Sequence, residues 1–314
     1  MKFATLARFA AVPVAIALAT SLVACSGEST PSKPSASADA LEGSDQVSLS
    51  KYTTKDTTPI EDIDVTKLGL ITDGVISVGT LSDAPPSIFI DDKGNFTGFD
   101  NELLKAMAEK LDLEVEFAST DFAALLAQVQ NKKFDVGSSS ISTTDARREN
   151  VGFTNGYDFG FMATVAKTDS DIKGIADIKG DVRVAVVQGT VQDDYVTNTL
   201  GLEPVRFADY NTAYQNLKNG QVDAWVAPST QAEGLVKEED GIAIVENVIN
   251  TQNFVAFAVN SDNQALTDAL NSALDAVVAD GTWSTLVEEW FPGREMPTDW
   301  KPGSAAVVVG KATK

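Results

Sequence analysis

Strand and helix signals alternate along this chain from Ile76 onward, and this alternation limits the possible folds more than any other feature. Ile76–Thr80 is a short apolar run typical of a buried strand, and Asp100 is the predicted N-cap of a helix with one apolar face. Similar pairs follow as far as a long amphipathic helix around Leu266. Successive βαβ units build parallel sheets, so the sequence predicts an α/β fold that binds ligands at the carboxyl ends of its strands.

Length and composition narrow the classes of protein. A chain of 314 residues exceeds the ~250 residues at which single cores usually split, so we expect two lobes. The 45 acidic against 24 basic residues argue against nucleic acid or anionic lipid as a partner. The absence of histidine excludes Ser-His-Asp and Cys-His catalysis and the commonest metal ligand. Carboxylate chemistry and oxygen-ligated cations stay open.

The N-terminus has the pattern of an export signal. Lys2 and Arg8 precede an apolar run, 9–22, which is shorter than the ~20 residues that span a membrane. Cys25, the only cysteine, closes this run in a pattern that resembles a bacterial lipobox, although an incidental cysteine is the alternative. We expect residues 1–24 to be a signal peptide and Cys25 to be lipidated, which anchors the protein to the extracytoplasmic face of the cell membrane.

Both ends of the remaining chain look irregular. Residues 26–58 are rich in Ser, Thr, Pro, Ala and Lys, which is typical of a flexible stalk. Whether 59–74 dock on the folded part stays open. Residues 298–314 are predicted to be a loose tail.

The stretch 134–157 carries the strongest site signal. A short strand, Phe134–Val136, ends in small hydroxyl residues, and Arg147 and Arg148 follow. Hydroxyls and bare backbone N–H groups at a strand end suit a small polar ligand, and an arginine can bind a carboxylate with two parallel hydrogen bonds. The alternative is a polar loop with two solvated arginines.

A second strand–turn–helix connection lies further along the chain. The strand Val182–Val187 ends at Gln188-Gly189-Thr190, and a helix is predicted over Val191–Leu200. Such a turn directs free N–H groups and the positive end of the helix dipole at one point, which favours an anion. A glycine required for packing alone is the alternative.

The order of these pieces resembles family 3 of the bacterial extracellular solute-binding proteins, the substrate receptors of polar amino acid ABC importers. The resemblance spans roughly 76–291. The motifs that carry it are Gly79-Thr80, Pro85-Pro86, Gly98-Phe99-Asp100, Phe134-Asp135-Val136, Ser140 to Thr144 with Arg147, Phe153-Thr154, Gln188-Gly189-Thr190, Val222-Asp223-Ala224 and Asp280-Gly281-Thr282 through Trp290-Phe291.

The resemblance implies a two-lobe periplasmic-binding-protein-like fold of type II, in which two hinge crossings join the lobes and the lobes close on the ligand. The implied crossings are 161–167 and 253–258. The implied divisions are a signal peptide 1–24, the lipidated Cys and stalk 25–74, lobe 1 at 75–163 plus 256–297, lobe 2 at 166–253, and a tail 298–314.

The resemblance also implies the site residues. Arg147 matches the residue that binds the ligand's α-carboxylate, and Arg148 is expected to face solvent. The other ligand-binding positions are Ser140 and Ser142 beside Arg147, Gly189 and Thr190 as donors from the opposite lobe, Phe122 packing on the ligand, and Tyr157 at the cleft side of its turn. No cofactor and no metal are expected.

Three departures from the family pattern bear on the ligand. Ala84 and Ser87 replace two aromatic residues, for which Ile88 or Phe89 could compensate. Pro228 replaces an aspartate that pairs with an α-ammonium. Whether Ser229, Gln231 or Glu233 substitutes for it stays open.

The sequence therefore predicts a monomeric substrate-binding lipoprotein of an ABC importer, tethered through Cys25, that delivers a small carboxylate-bearing solute to permease subunits. A polar amino acid is favoured by the family, and an organic acid or modified amino acid by Pro228. One alternative is a cyclic-carboxylate dehydratase-like enzyme, for which Asp83, Asp158 and Asp194 are candidate acids or bases. The other is a sensor lipoprotein without a transport role.

Overall fold

A computed structural model of the chain describes residues 57–159, 162–236, 240–248, 254–294 and 300–305. The predicted signal peptide, Cys25 and most of the predicted stalk lie outside the described residues, as do 306–314. The strands are β1 Val75–Thr80, β2 Asp83–Ala84, β3 Ile88–Ile90, β4 Phe96–Thr97, β5 Glu114–Ser119, β6 Val136–Ser138, β7 Gly152–Phe153, β8 Asp158–Phe159, β9 Met162–Lys167, β10 Val184–Val187, β11 Val205–Phe207, β12 Ala224–Pro228, β13 Ile242–Val248, β14 Phe254–Val255 and β15 Ala258–Val259. The α-helices are α1 Phe99–Lys110, α2 Phe122–Gln130, α3 Asp145–Arg148, α4 Val191–Asp194, α5 Tyr210–Lys218, α6 Ser229–Val236, α7 Gln264–Ala279 and α8 Thr282–Trp290.

The first sheet has the strand order β5-β1-β6-β15-β7. Strands β5, β1 and β6 are parallel, and β15 joins them antiparallel. Ile76 and Val78 in β1 are fully buried, and helix α1 buries Leu103 and Met107, one turn apart, on its inner face. Thr80 lies opposite Ser138, so the loops after β1 and β6 leave the same edge of the sheet. This sheet with α1–α3, α7 and α8 is called the first lobe below.

The second sheet repeats this plan with the order β11-β10-β12-β9-β13. Strands β11, β10 and β12 are parallel, whereas β9 pairs antiparallel with both β12 and β13. Strand β10 is buried along its whole length, as expected of a parallel strand covered on both faces. This sheet with α4–α6 is called the second lobe. The α/β class predicted from the sequence is confirmed.

A short antiparallel ribbon stands where the chain passes between the sheets. It pairs β8 with β14, and Val255 lies opposite Asp158. The crossing predicted at 161–167 is misplaced in its described part, because 162–167 form β9 inside the second sheet, and residue 161 lies outside the described residues. Of the second predicted crossing, residue 253 lies outside the described residues.

Three further elements differ from their predictions. Gly98, with a φ of +102°, is the N-cap of α1 in place of Asp100, which is buried in the first turn. A side chain at Gly98 would meet the Ser87 carbonyl oxygen at 2.5 Å, so this close approach requires glycine. The helix predicted over 191–200 is an α-helical turn followed by a π-helical turn, Tyr195–Thr199. The crossing predicted over 253–258 is not one extended segment in its described part: β14 ends at Val255, and the Ala256 N–H donates to the Ile141 carbonyl oxygen.

The described parts of both ends pack on the first lobe. The Thr58 N–H donates to Ser272 Oγ at 2.7 Å, and Leu68 is buried. At the other end Trp300 packs against Phe159, and the Ser304 N–H donates to Asp275 Oδ1 at 2.8 Å. The prediction of a loose tail is therefore wrong for 300–305, and 57–74 dock on the lobe. None of the helices in the described ranges is both long and apolar enough to cross a membrane.

Candidate functional site

A cavity of about 40 Å³ lies between the strand ends of the two lobes. Five of the seven ligand-binding positions expected from the sequence line it, namely Phe122, Ser140, Ser142, Arg147 and Thr190. Gly189 contributes its carbonyl group at the edge, and Tyr157 does not line the cavity. Ser87 and Pro228 also line it, and these are two of the three positions that depart from the family pattern.

Arg147 is the cation of the cavity. Its backbone N–H donates to Thr144 Oγ1, the N-cap of α3, and this contact fixes where the side chain starts. Its Nη1 donates to the Ser142 carbonyl oxygen at 2.6 Å, and its Nη2 donates across the cleft to the Gly189 carbonyl oxygen at 3.1 Å. The guanidinium also lies 5.2 Å from the centre of the Phe122 ring.

The charge of Arg147 lacks a carboxylate partner among the described residues. The side chain is fully buried, and its Nε has no hydrogen-bond partner there. Burial lowers the pKa of Arg147 from 12.5 to about 10, which still leaves the guanidinium protonated at neutral pH. A buried cation without a counter-ion is costly, so an anion that enters the cavity removes that cost.

Ser140 is fixed by hydrogen bonds to a buried carboxylate, that of Asp100. Its backbone has a φ of +44°, and its N–H and Oγ donate to Asp100 Oδ2 at 2.6 and 2.8 Å. The Tyr157 hydroxyl donates to the same oxygen at 2.8 Å. Tyr157 is fully buried and stacks on Phe257, so its predicted place at the cleft is wrong. Desolvation raises the pKa of Asp100 to about 7.

The two sides of the cavity are called the first wall, from the first lobe, and the second wall, from the second lobe. The turn at Gly189 and Thr190 in the second wall uses its hydrogen-bond donors within the turn itself. Gly189 has a φ of +76°, and its N–H donates to Asp193 Oδ2 at 3.0 Å. The Thr190 hydroxyl donates to the Val187 carbonyl oxygen and accepts from the Asp193 N–H. Asp193 also accepts from Arg206 Nε at 2.9 Å. The expectation that Gly189 and Thr190 supply free donors is therefore wrong, because Asp193 already fills the anion site of this turn.

The three carboxylates considered for catalysis have different surroundings. Asp158 lines the cavity, but its Oδ2 accepts from Arg294 Nη1 at 2.9 Å and its Oδ1 from the Phe159 N–H. Its pKa is raised because burial outweighs the attraction of Arg294. Asp83 and Asp194 do not line the cavity.

Asp83 bridges the lobes at the rim of the cleft. Its Oδ2 accepts from the Asn211 N–H at 3.0 Å, in the first turn of α5 on the second lobe. Burial, with a smaller contribution from the charge of Asp209, raises the pKa of Asp83 to about 6.

The expectations for Arg148 and for the missing aromatic residues are both wrong. Arg148 is half-buried and stacks on the rings of Phe153 and Phe254, so it is not a solvated arginine. Neither Ile88 nor Phe89 compensates for the missing aromatics: the first is in the core, and the second packs on Trp290.

The residues after β12 do not replace the missing charge either. Ser229, Gln231 and Glu233 do not line the cavity, whereas the neutral Thr230 does. The second wall therefore carries no carboxylate of its own that faces the cavity within the described residues.

Sequence reasoning missed other lining residues, chiefly Met162, Val191, Gln192 and Tyr210. Val191 and Gln192 directly follow the turn at Gly189, and Tyr210 opens α5 directly after its N-cap, Asp209. The rule that ligands bind where parallel strands end and helices begin could have found these three positions.

Comparisons with known proteins agree with this geometry. Residues 76–293 match the family described as bacterial extracellular solute-binding proteins, family 3. The chain is 30% identical over 222 residues to the ABC transporter arginine-binding protein 1 of Escherichia coli K12, a match that covers 69% of this chain and 90% of that protein.

Solved structures give the same result. An ancestral arginine-binding protein bound to arginine has a TM-score of 0.66 and 33% identity, over 69% of this chain and 98% of that one. The ancestral amino acid-binding protein AncCDT-1, described as a precursor of cyclohexadienyl dehydratase, has a TM-score of 0.63 and 31% identity, over 69% and 95% of the two chains.

Proposed function

Because the chain belongs to the bacterial extracellular solute-binding proteins of family 3, we propose that it is the substrate-binding lipoprotein of an ABC importer. It captures a small carboxylate-bearing solute between its two lobes and presents the closed form to membrane permease subunits. The relatives are amino-acid-binding proteins of ABC transporters, which supports a role in solute binding.

The observation that carries the proposal is the buried guanidinium of Arg147. It lines the cavity, it has an unpartnered Nε, and no described carboxylate neutralises it. A bound carboxylate compensates this charge and gains charge-assisted hydrogen bonds. Binding free energy of this kind is available only when the second lobe covers the site, so the ligand favours the closed form.

Contacts between the lobes support hinge closure as the mechanism. Arg147 Nη2 reaches the Gly189 carbonyl oxygen inside the cleft, and Asp83 accepts from the Asn211 N–H at its rim. The first lobe in this proposal is 75–159 plus 256–294, and the second lobe is 162–248 with β9 as its first strand. The protein acts as a monomer that is anchored through a lipid on Cys25, at the extracytoplasmic face of the membrane, and palmitate labelling that is lost in Cys25→Ser checks the anchor.

A ligand screen with the purified protein tests the central claim. Carboxylic acids, with and without amino groups, are screened by thermal shift, and each acid that raises Tm is titrated by calorimetry. Arg147→Ala abolishes the shift. Arg148→Ala is the matched control, because it removes the adjacent arginine, which does not line the cavity, and it keeps the ligand response. Unchanged ligand binding by Arg147→Ala contradicts the site assignment.

A second candidate function is an enzyme on this fold. Asp158 lines the cavity with a raised pKa, which suits a general acid, and AncCDT-1 is described as the precursor of a dehydratase. The contact of Asp158 with Arg294 favours a structural role instead. Incubation of the protein with each bound acid, followed by mass spectrometry, separates the two functions: a receptor returns the acid unchanged.

A further inference from the structure

We propose that the bound solute is a carboxylic acid without an ammonium group, such as a 2-hydroxy or 2-oxo acid. This inference rests on the proposed function and narrows its ligand class. It follows from the balance of charge around the cavity and from the chemistry of the second wall.

The described residues that line the cavity, together with Arg294, sum to one positive charge, and the charge of Asp194 acts on Arg147 from outside the lining without forming an ion pair. Arg147 has no carboxylate partner among the described residues, and Asp158, the only carboxylate that lines the cavity there, faces Arg294. The Asp158–Arg294 pair is neutral in sum, which leaves the charge of Arg147. A monoanion brings the site to neutrality, whereas an amino acid zwitterion buries a second cation and leaves the excess in place.

Asp158 is poorly suited to hold an ammonium group. Its charge is already paired with Arg294, which donates to Oδ2, and its Oδ1 accepts from the Phe159 N–H. Arg294 is itself fixed, because its Nη2 donates to the Phe159 carbonyl oxygen and its guanidinium lies 4.8 Å from the ring centres of Phe159 and Phe291. An ammonium group beside this pair therefore meets a cation that cannot move away.

The second wall offers no other negative partner. Asp193 is engaged by the Gly189 N–H and Arg206, and the Gly189 carbonyl oxygen accepts from Arg147. What faces the cavity from this lobe is apolar or neutral: Val191, Pro228, Gln192, Thr230 and Tyr210. Neutral amide and hydroxyl groups suit a keto or hydroxyl oxygen, which needs a hydrogen bond but no counter-ion.

Matched pairs of acids test the inference directly. Lactate and pyruvate are compared with L-alanine, and the 2-hydroxy and 2-oxo analogues of leucine and glutamate with those amino acids, by thermal shift and calorimetry. We expect an amine-free member to bind at least tenfold more tightly than its amino acid. Equal affinity, or tighter binding of the amino acid, overturns the inference but leaves the proposed function standing. If no acid of either kind binds, the proposed function itself fails.

A charge placed on the second wall tests the physical cause. Pro228→Asp adds a carboxylate to the lining of the cavity, and Pro228→Asn is its uncharged control. We expect the aspartate variant alone to shift the affinity ratio at least tenfold toward the amino acid of a pair. Gln192→Glu makes the same change at a second lining position if Pro228→Asp does not fold. No shift in either charged variant contradicts the argument from charge.

Discussion

The two walls of the cleft are built from the same turn but end in opposite chemistry. After β6, Thr144 caps a helical turn by accepting from the N–H of Arg147, three residues on. After β10, Thr190 caps the next helical turn by accepting from the N–H of Asp193, again three residues on. In the first wall that third residue is a cation directed into the cavity. In the second it is an anion directed back at the Gly189 N–H.

This difference gives the two walls different roles: the first wall recognises the anion, and the second wall supports the site. The second turn satisfies its own donors and needs no ligand to be complete. The first turn leaves a buried guanidinium that lacks an acidic partner among the described residues. An anion therefore gains more from the first wall. The second wall excludes water and presents neutral side chains, and its Gly189 carbonyl oxygen accepts from Arg147.

In each wall a buried aspartate also accepts hydrogen bonds from the turn that faces the cleft. Asp100 lies behind Ser140 and receives only neutral donors in the contacts identified, from Ser140 and Tyr157. Asp193 lies behind Gly189 and pairs with Arg206. The first wall thus contains an aspartate whose charge is destabilised by burial, and pH can change its protonation.

The largest expected effect comes from titrating Asp100. Its pKa is about 7 in the folded protein against 3.8 ordinarily, so its contribution to stability is full below about pH 4 and is lost as the pH rises through 7. A shift of this size corresponds to roughly 4 kcal/mol. Asp100→Asn cannot titrate, so the free energy of unfolding of this variant should fall less between pH 5 and pH 8 than that of the wild type.

Urea denaturation at several pH values measures this difference. Asp158 also has a raised pKa and lies close enough to raise that of Asp100, so part of the pH dependence remains in the variant. Parallel profiles for the two proteins would show that Asp100 does not titrate in this range.

An intermediate effect is expected where the rims of the two lobes touch. Gly234 on α6 faces Pro85 on the first lobe, and a Cβ at this glycine would meet the Pro85 carbonyl oxygen at 2.6 Å. Because the clash involves backbone, Gly234→Ala holds the lobes slightly apart. We expect ligand affinity to fall about tenfold, or about 1.4 kcal/mol. The unliganded protein should be no less stable, because alanine favours the helix by about 1 kcal/mol.

Calorimetry and thermal melts of Gly234→Ala separate these two quantities. Glu233→Ala, at the neighbouring exposed position of the same helix, is the control and should keep its affinity. Wild-type affinity in Gly234→Ala would mean that closure does not require this contact.

Much of the fold could be read from the sequence, because strands and helices depend on local periodicity. The parallel trio in each sheet follows from alternating strands, turns and helices, whereas the choice of Arg147 over Arg148 comes from the resemblance to the family. Tyr157 and Asp100 were misread because their roles depend on Ser140 and on each other, which are far apart in the chain. No periodicity reports such a contact.

The error at Gly189 has a different origin. The spacing of Thr190 and Asp193 is a local capping pattern that is visible in the sequence, and it indicates that a carboxylate lies close to the turn. The contact of Gly189 with Arg147, in contrast, joins two lobes across the cleft. It could be found only in the folded protein.

The smallest effects are expected when the hydroxyl groups of the two N-cap residues, Thr144 and Thr190, are removed. Thr144→Val and Thr190→Val each remove a hydroxyl that accepts from a backbone N–H, and each should lower the free energy of unfolding by about 1 kcal/mol. Their effects on ligand binding should differ. Loss of the Thr144 cap loosens the turn that carries Arg147, so affinity falls, whereas Thr190→Val leaves a turn still held by the contact between Asp193 and the Gly189 N–H. Urea denaturation measures the shared loss of stability and calorimetry the difference in affinity; equal losses of affinity would mean that the two walls contribute to recognition alike.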